Sequence, residues 1–179
     1  MNSTRLTALI IAVPEVESLV GDFRARHDPA SAEGVPAHVT VLFPFLPPQR
    51  LTSVTLQSLR DIFEQFPSFS AAFAEPRKFP GVLYLPPLPD MQFRRLTECV
   101  VYHFPETPPY GGQFPDVVPH LTVAHATDQS LLEEIEAEFL QKAKSRWPIH
   151  AMIREVTLIE KRDGQWRTQM VFPLAMHRP

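Results

Sequence analysis

The sequence predicts an α+β fold built from two similar halves, and three observations carry that prediction. Predicted helices and strands alternate along all 179 residues. A His-aliphatic-Thr-Val pattern occurs twice, from His38 to Val41 and from His120 to Val123. Each copy is preceded by a predicted helix and followed by a helix and a hairpin. We interpret this order as a degenerate internal repeat, so residues 1–179 should form a single domain of two pseudo-symmetric lobes, with one motif in each.

In the first half, apolar spacing and prolines define the elements. Leu6 to Val13 is a mostly apolar run, typical of a buried strand, and Pro14 starts the helix that follows it. Helices are predicted where apolar residues recur at three- and four-residue intervals, and strands where short apolar runs end at proline. The remaining predicted elements are a helix from Glu15 to about His27, the motif strand His38 to Phe43, a helix from Leu51 to Phe66, and two strands, Phe69 to Ala74 and Phe79 to Leu85, joined around Pro76 to Lys78.

The second half repeats the tail of the first. Between its first helix and its motif strand lies Pro105 to Pro119, which holds five prolines and two glycines and is predicted to be a long loop. The turn Arg162 to Gln165 predicts a terminal hairpin. The other predicted elements are helices from Met91 to about Phe104 and from Asp128 to Ala143, the motif strand His120 to about Ala126, and strands from Ile149 to Lys161 and from Trp166 to Leu174.

Composition narrows the class of protein. The single cysteine, Cys99, rules out an internal disulfide and a cysteine-based zinc site, and its helical surroundings predict that it is buried. The apolar run from Ala8 to Val13 is too short to span a membrane and is followed by Pro14-Glu15 rather than by a cleavage site. We therefore expect a cytoplasmic protein with no membrane partner.

Charge is unevenly placed along the chain. The formal net charge of -3 argues against a protein that coats long nucleic acid through charge alone. From Gln141 onward, however, basic residues outnumber acidic ones. They are Lys142, Lys144, Arg146, Arg154, Lys161, Arg162, Arg167 and Arg178. This tail predicts either a local positive wall for a small anionic substrate or ordinary solvated faces of a helix and a hairpin.

Both motif strands are suited to line a polar cleft. Successive side chains of a strand point to opposite faces, so His38 and Thr40 share one face, as do His120 and Thr122, while aliphatic residues take the other. Two histidines across a cleft can serve as general base and general acid, and two hydroxyls can donate to phosphate oxygens. This combination suits phosphodiester chemistry without a metal ion, because neither motif strand carries a carboxylate ligand. A duplicated motif predicts a cleft with two walls.

The two motifs resemble the paired His-hydrophobic-Thr/Ser-hydrophobic signatures of the 2H phosphoesterase superfamily, which includes 2'-5' RNA ligases and RNA cyclic phosphodiesterases. The resemblance extends over most of the chain and includes the terminal hairpin from Leu158 to Trp166. It implies a bilobal α+β fold with two antiparallel sheets facing a central groove and helices outside. It also implies metal-independent action, without a cofactor, on 2',3'-cyclic phosphates or 2'-5' linkages of nucleotides or RNA ends.

The resemblance assigns roles to the motif residues. His38 and His120 would carry the acid-base steps, and Thr40 and Thr122 would hold the phosphate. Many RNA-processing members have an arginine shortly after the second motif, where this chain has His125. In a regular strand His125 would face away from His120, so it is predicted to be buried or to lie at a bend.

Other residues are weaker candidates for substrate contact. Tyr84, on a predicted strand beside the groove, could stack on a base or pack in the core or at the rim. Tyr110 and Phe114, in the proline-rich loop, could form a lid. Lys161, with Arg162 beside it, could neighbour the phosphate. Phe43 corresponds in the first half to His125 in the second, and is predicted to be core.

Three functional hypotheses follow. The first is a cyclic phosphodiesterase whose substrate is a nucleotide or an RNA terminus. The second is an RNA 2'-5' ligase that uses the same site. The third is a binding module that holds a nucleotide or RNA end without turnover. We expect a monomer with no protein partner in each case, and the near-equivalence of the motifs leaves open which histidine is the acid.

Overall fold

The computed structural model describes residues 5–176, so Arg178 of the basic tail lies outside the described residues. It contains five α-helices and ten strands, in the predicted order for most of the chain. The helices are α1 (Pro14–His27), α2 (Pro29–Ala32), α3 (Ser53–Phe63), α4 (Met91–His103) and α5 (Gln129–Ala143). The strands are β1 (Thr7–Ala12), β2 (His38–Leu42), β3 (Phe69–Phe73), β4 (Arg77–Phe79), β5 (Val82–Leu85), β6 (Pro87–Leu88), β7 (Leu121–His125), β8 (Ile149–Ile153), β9 (Glu155–Arg162) and β10 (Gln165–Pro173).

The strands form two antiparallel sheets, which confirms the predicted α+β class. The larger sheet has seven strands in the order β10-β9-β1-β2-β7-β5-β4, and the smaller has three in the order β6-β3-β8. The two motif strands, β2 and β7, are therefore neighbours at the centre of one sheet. Their side chains project from a shared floor, in place of the two walls expected from the sequence.

The two halves are arranged with pseudo-two-fold symmetry about the contact between β2 and β7. Val39 pairs with Leu121, and in this antiparallel register His38 lies opposite Thr122 and Thr40 lies opposite His120. Outward from the centre, β1 corresponds to β5. In the small sheet, β3 pairs with the corresponding strand of the other half, β8.

The hairpin predicted from Phe69 to Leu85 is wrong. Phe69–Phe73 leaves for the small sheet, where its backbone pairs with β8 and β6. The partner of β5 is instead the short strand Arg77–Phe79, and Gly81, at a φ of 75°, turns the chain between them. The predicted strand Ile149 to Lys161 likewise divides at Arg154 between the two sheets. Both differences from the prediction arise because β3 and β8 pair with each other across the two halves, and local periodicity gives no information about such long-range pairing.

One face of the large sheet is buried against the helices. A single apolar cluster contains residues from this face, from α1, α3, α4 and α5, and from the small sheet. Each motif strand contributes its aliphatic residues, such as Val39 and Leu121, both fully buried. Cys99, on α4, packs at the margin of this cluster and is only partly buried. Among residues 5–176, no helix is long and apolar enough to cross a membrane.

Candidate active site

The outer face of the large sheet carries a groove of about 370 Å³ over the two central strands. All four motif side chains line it: His38, Thr40, His120 and Thr122. The alternation of the strands, with aliphatic residues packed into the core below, holds these polar groups on the solvent side. The structure therefore brings together the four residues predicted as the chemical centre.

Both motif histidines are oriented in the same way by the backbone. Nδ1 of His38 lies 2.8 Å from the Pro36 carbonyl oxygen, and Nδ1 of His120 lies 2.8 Å from the Val118 carbonyl oxygen. Because a carbonyl can only accept, we assign the proton to Nδ1 in each ring. Nε2 is then left to exchange a proton with a substrate.

The groove disfavours the charged form of both histidines. Burial lowers the pKa of His38 to about 4, and the nearby Arg24 guanidinium acts in the same direction, while the hydrogen bond to Pro36 opposes them. Burial also lowers the pKa of His120, against the hydrogen bond to Val118. Both rings are therefore neutral at pH 7 without a ligand. An anionic phosphate between them would favour the protonated form.

Each motif strand contains a β-bulge three residues after its histidine. Leu9 pairs with Leu42 and Ile10 with Thr40, which leaves Val41 as the extra residue of β2. The second bulge is at the equivalent position, Val123 of β7. A bulge shifts the alternation of faces by one residue, so the side chains beyond it change sides.

The bulges bring Phe43 and His125 onto the groove face. Phe43 is partly exposed and lines the groove, although the sequence predicts it as core. His125 is exposed at the groove, with Nε2 3.9 Å from Oδ1 of Asp28. Of the two positions expected for His125, the bend is the one observed.

A buried ion pair supports the His125 end of the groove. Arg24 is 1% exposed, and its Nε donates to Asp28 at 3.0 Å. Its Nη2 donates to the Val35 carbonyl oxygen, and its Nη1 is buried without a hydrogen-bond partner in the structure. Asp28 itself lines the groove. The pair fixes the position of a carboxylate beside His125 and of a positive charge near His38.

Lys161 lines the groove as part of a small polar network. Its Nζ donates to Glu33 at 2.6 Å, and the indole nitrogen of Trp166 donates to the other oxygen of the same carboxylate at 3.1 Å. The Trp166 ring meets Phe43 edge to face, with centroids 6.0 Å apart. The carboxylate thus holds a cation and an indole side by side on one wall of the groove.

The other basic residues of the tail do not form a wall at this groove. Arg162 lies 3.7 Å from Glu160 and is exposed, Lys142 pairs with Asp22, and Arg146 bonds to Ser18. Within the described residues, Lys161 is the basic residue that lines the groove. Of the two interpretations of the tail, solvated faces fit every described residue except Lys161.

Tyr84 lies beneath His120, outside the lining of the groove. It is 5% exposed and stacks on Phe79, with ring centroids 4.1 Å apart. Both rings meet the His120 imidazole edge to face, at 5.7 Å and 5.3 Å. This aromatic packing fixes the plane of the His120 ring from behind.

Tyr110 closes one side of the groove from the proline-rich loop. Its hydroxyl interacts with Thr40, and burial raises the pKa of its phenol. Its backbone has a φ of 50°, a left-handed conformation that is strained for a tyrosine, and its amide donates to the Phe43 carbonyl oxygen at 2.6 Å. Phe114 packs against Tyr110 edge to face at 5.6 Å and is exposed outside the groove.

Several residues that line or support the groove were not predicted from the sequence. Arg24, Asp28, Glu33 and Trp166 belong to the groove or its support, but none has a partner pattern in the sequence. Trp166 alone gave a signal, because it directly follows the predicted turn Arg162 to Gln165, close to Lys161 along the chain. Among the described residues, no group of three or more His, Cys, Asp and Glu side chains could hold a metal ion.

Comparison with known proteins gives three findings. The model of the 2'-5' RNA ligase superfamily matches residues 12–165. Comparison with curated proteins gives no match. Among solved structures, the chain is similar to E. coli LigT complexed with NADP+, at 17% identity and a TM-score of 0.57, over 97% of this chain and 99% of that chain.

Two further structures are similar over nearly their whole length. E. coli LigT complexed with 3'-AMP has 16% identity and a TM-score of 0.58, over 97% of this chain and 99% of that chain. The protein TT0787 of Thermus thermophilus has 16% identity and a TM-score of 0.62, over 97% of this chain and 100% of that chain. At these identities, the likeness establishes a shared fold.

Proposed function

Because the chain belongs to the 2'-5' RNA ligase superfamily, a group of 2H phosphoesterases, we propose that it hydrolyses a 2',3'-cyclic phosphate or a 2'-5' linkage of a nucleotide or RNA end. The observation that carries the proposal is the register of β2 and β7, in which His38 lies opposite Thr122 and His120 opposite Thr40. Two imidazoles and two hydroxyls then line one groove, whose volume of about 370 Å³ is large enough for a phosphate.

In the proposed reaction, His38 is the base and His120 is the acid. Nε2 of His38 takes a proton from water as the water oxygen bonds to phosphorus. The bond from phosphorus to the ribose oxygen breaks, and His120 protonates that oxygen. The nearby Arg24 charge favours neutral His38, which suits the base. The histidines regain their starting states by proton exchange with solvent, and no step requires a metal.

Thr40 and Thr122 are proposed to donate to the non-bridging phosphate oxygens. Their hydroxyls lie on the same face as the histidines and are reachable from the groove. Donors aimed at charge that grows in the transition state typically contribute several kcal/mol. Lys161 is proposed as a further neighbour of the substrate, with Phe43 and Trp166 as an aromatic wall beside it.

The proposed substrate is a nucleotide or an RNA terminus. E. coli LigT has been crystallised with 3'-AMP, ATP and NADP+, which supports a nucleotide-sized ligand for this fold. In the alternative ligase activity, a hydroxyl of a second RNA end takes the place of water: His38 takes its proton as its oxygen bonds to phosphorus, the cyclic ester bond to the ribose oxygen breaks, and His120 protonates that oxygen. Because one chain supplies all four motif residues, and one apolar cluster spans both halves, we further propose a single-domain monomer.

The direct test incubates the purified protein with 2',3'-cyclic AMP in excess chelator. We expect turnover, with His38→Ala and His120→Ala each lowering kcat by about 10² to 10⁴. His150→Ala, at an exposed position on β8, is the matched control and should leave kcat unchanged. Full activity in both motif variants would overturn the mechanism. Tight binding without product would instead favour the binding module.

A further inference from the structure

A second cavity lies on the same face of the sheet, beneath the proline-rich loop. Its volume is about 590 Å³, and its lining is mainly apolar. Phe79 and Val82 border it from the β4–β5 side, and Phe114 and Val117 border it from the loop. It lies over the half of the sheet that contains β4 and β5, whereas the groove extends over β1 and β9.

The two cavities meet at two residues. His120 and Tyr110 line both of them. A phosphate placed between the motif histidines therefore has one cavity on each side, with His120 at the boundary. A cyclic phosphate of a single nucleoside carries an organic group on one side only, and would leave the other cavity empty.

We propose that the second cavity binds the leaving nucleoside of a phosphodiester that joins two nucleosides. The protein then prefers such a dinucleotide to a cyclic mononucleotide as its substrate. The proposal rests on the proposed function and extends it. The first nucleoside lies in the groove beside Phe43 and Trp166. The second places its base in the cavity and its oxygen beside His120, the residue that would protonate it.

The chemistry of the cavity fits a nucleobase. Its volume lies within the range of small-molecule sites, and the rings of Phe79 and Phe114 offer flat apolar surfaces on which a base can stack. Asp116 is its one charged lining residue besides the titratable His120 among those described. One oxygen of Asp116 pairs with Arg94 at 2.9 Å. The other can accept a hydrogen bond from an amino or ring N–H group of the base.

The test compares kcat/KM for 2'-5' adenylyl-adenosine with that for 2',3'-cyclic AMP. We expect the wild-type protein to prefer the dinucleotide. Val117→Phe, which fills the cavity, should lower kcat/KM for the dinucleotide by at least about tenfold and change that for the cyclic nucleotide by less than about twofold. Val54→Phe is the matched control, because Val54 is 75% exposed on α3.

A second variant guards against a folding defect. Phe114→Ala, at an exposed ring, should lower kcat/KM for the dinucleotide by about five- to tenfold through lost stacking. Equal losses on both substrates in either variant would overturn the proposal, because the cavity would then hold the only base. A ratio of the two kcat/KM values that is the same in both variants as in the wild-type protein would overturn the proposal as well.

Failure of the proposed function would be distinguishable. If the wild-type protein hydrolyses neither compound, calorimetric titration of adenylyl-adenosine and of 3'-AMP replaces the kinetics. Val117→Phe should then raise the Kd of the dinucleotide by at least about tenfold and change the Kd of 3'-AMP by less than about twofold. An equal loss of affinity for both ligands, or no loss for either, would contradict a second base site whether or not the protein is active.

Discussion

The folded protein should lose stability in mild acid because of His38. Burial holds the pKa of His38 at about 4, whereas the unfolded chain titrates near 6.5. Between these values the unfolded state binds more protons, so stability is present above pH 6.5 and declines as the pH falls toward 4. From pH 7.5 to pH 5 this one group should remove at most about 2 kcal/mol, since its side chain keeps some contact with solvent.

The variant His38→Asn isolates that contribution. The asparagine amide can still donate to the Pro36 carbonyl oxygen, but it does not titrate. Urea unfolding at pH 7.5, 6.5, 5.5 and 5.0, followed by tryptophan fluorescence, should show the variant losing up to about 2 kcal/mol less than the wild-type protein over this interval. His150→Asn, at an exposed histidine, should follow the wild-type curve. Parallel curves for His38→Asn and the wild-type protein would refute the argument.

Three further outcomes are expected. Asp28→Ala leaves the Arg24 guanidinium buried without its carboxylate, and urea unfolding should show a loss of about 3–5 kcal/mol. Asp22→Ala, at an exposed pair, is the control and should leave the unfolding free energy nearly unchanged. Binding of 3'-AMP at pH 6 should be accompanied by proton uptake, because an anionic phosphate favours the protonated form of the motif histidines. Calorimetric titration in two buffers of different ionisation enthalpy measures the number of protons taken up, and a value of zero would contradict the expectation. Phe139→Ala, at a fully buried ring, should lower unfolding free energy by about 3–5 kcal/mol, against little change for Val54→Ala.

The position of the four motif side chains in one groove was predictable because it depends on local alternation. A His-x-Thr strand needs only its own backbone to place two polar side chains on one face, and two such strands in equivalent contexts imply one site. The longer helices were predictable for the same reason, since apolar spacing and prolines act within a few residues. Long-range strand pairing could not be predicted in this way, because nothing in the composition of Phe69–Phe73 shows that it pairs with β8 rather than with the next strand along the chain.

The surroundings of the site depend on contacts that sequence spacing does not report. Trp166 and Lys161 meet through Glu33, which is far away along the chain. Phe43 and His125 reach the groove because each strand carries a bulge, and a regular strand would have turned both side chains inward. The residues around the four motif side chains are thus the ones that sequence patterns predict least well.

The position of β9 has a consequence for synthesis on the ribosome. β1, among the first residues described, has β2 on one side and β9, from Glu155–Arg162, on the other. During translation the amino-terminal half therefore emerges with one strand edge unpaired, and that edge stays open until β9 has been made. The sheet that carries the groove is therefore completed only after all of the amino-terminal strands have been made.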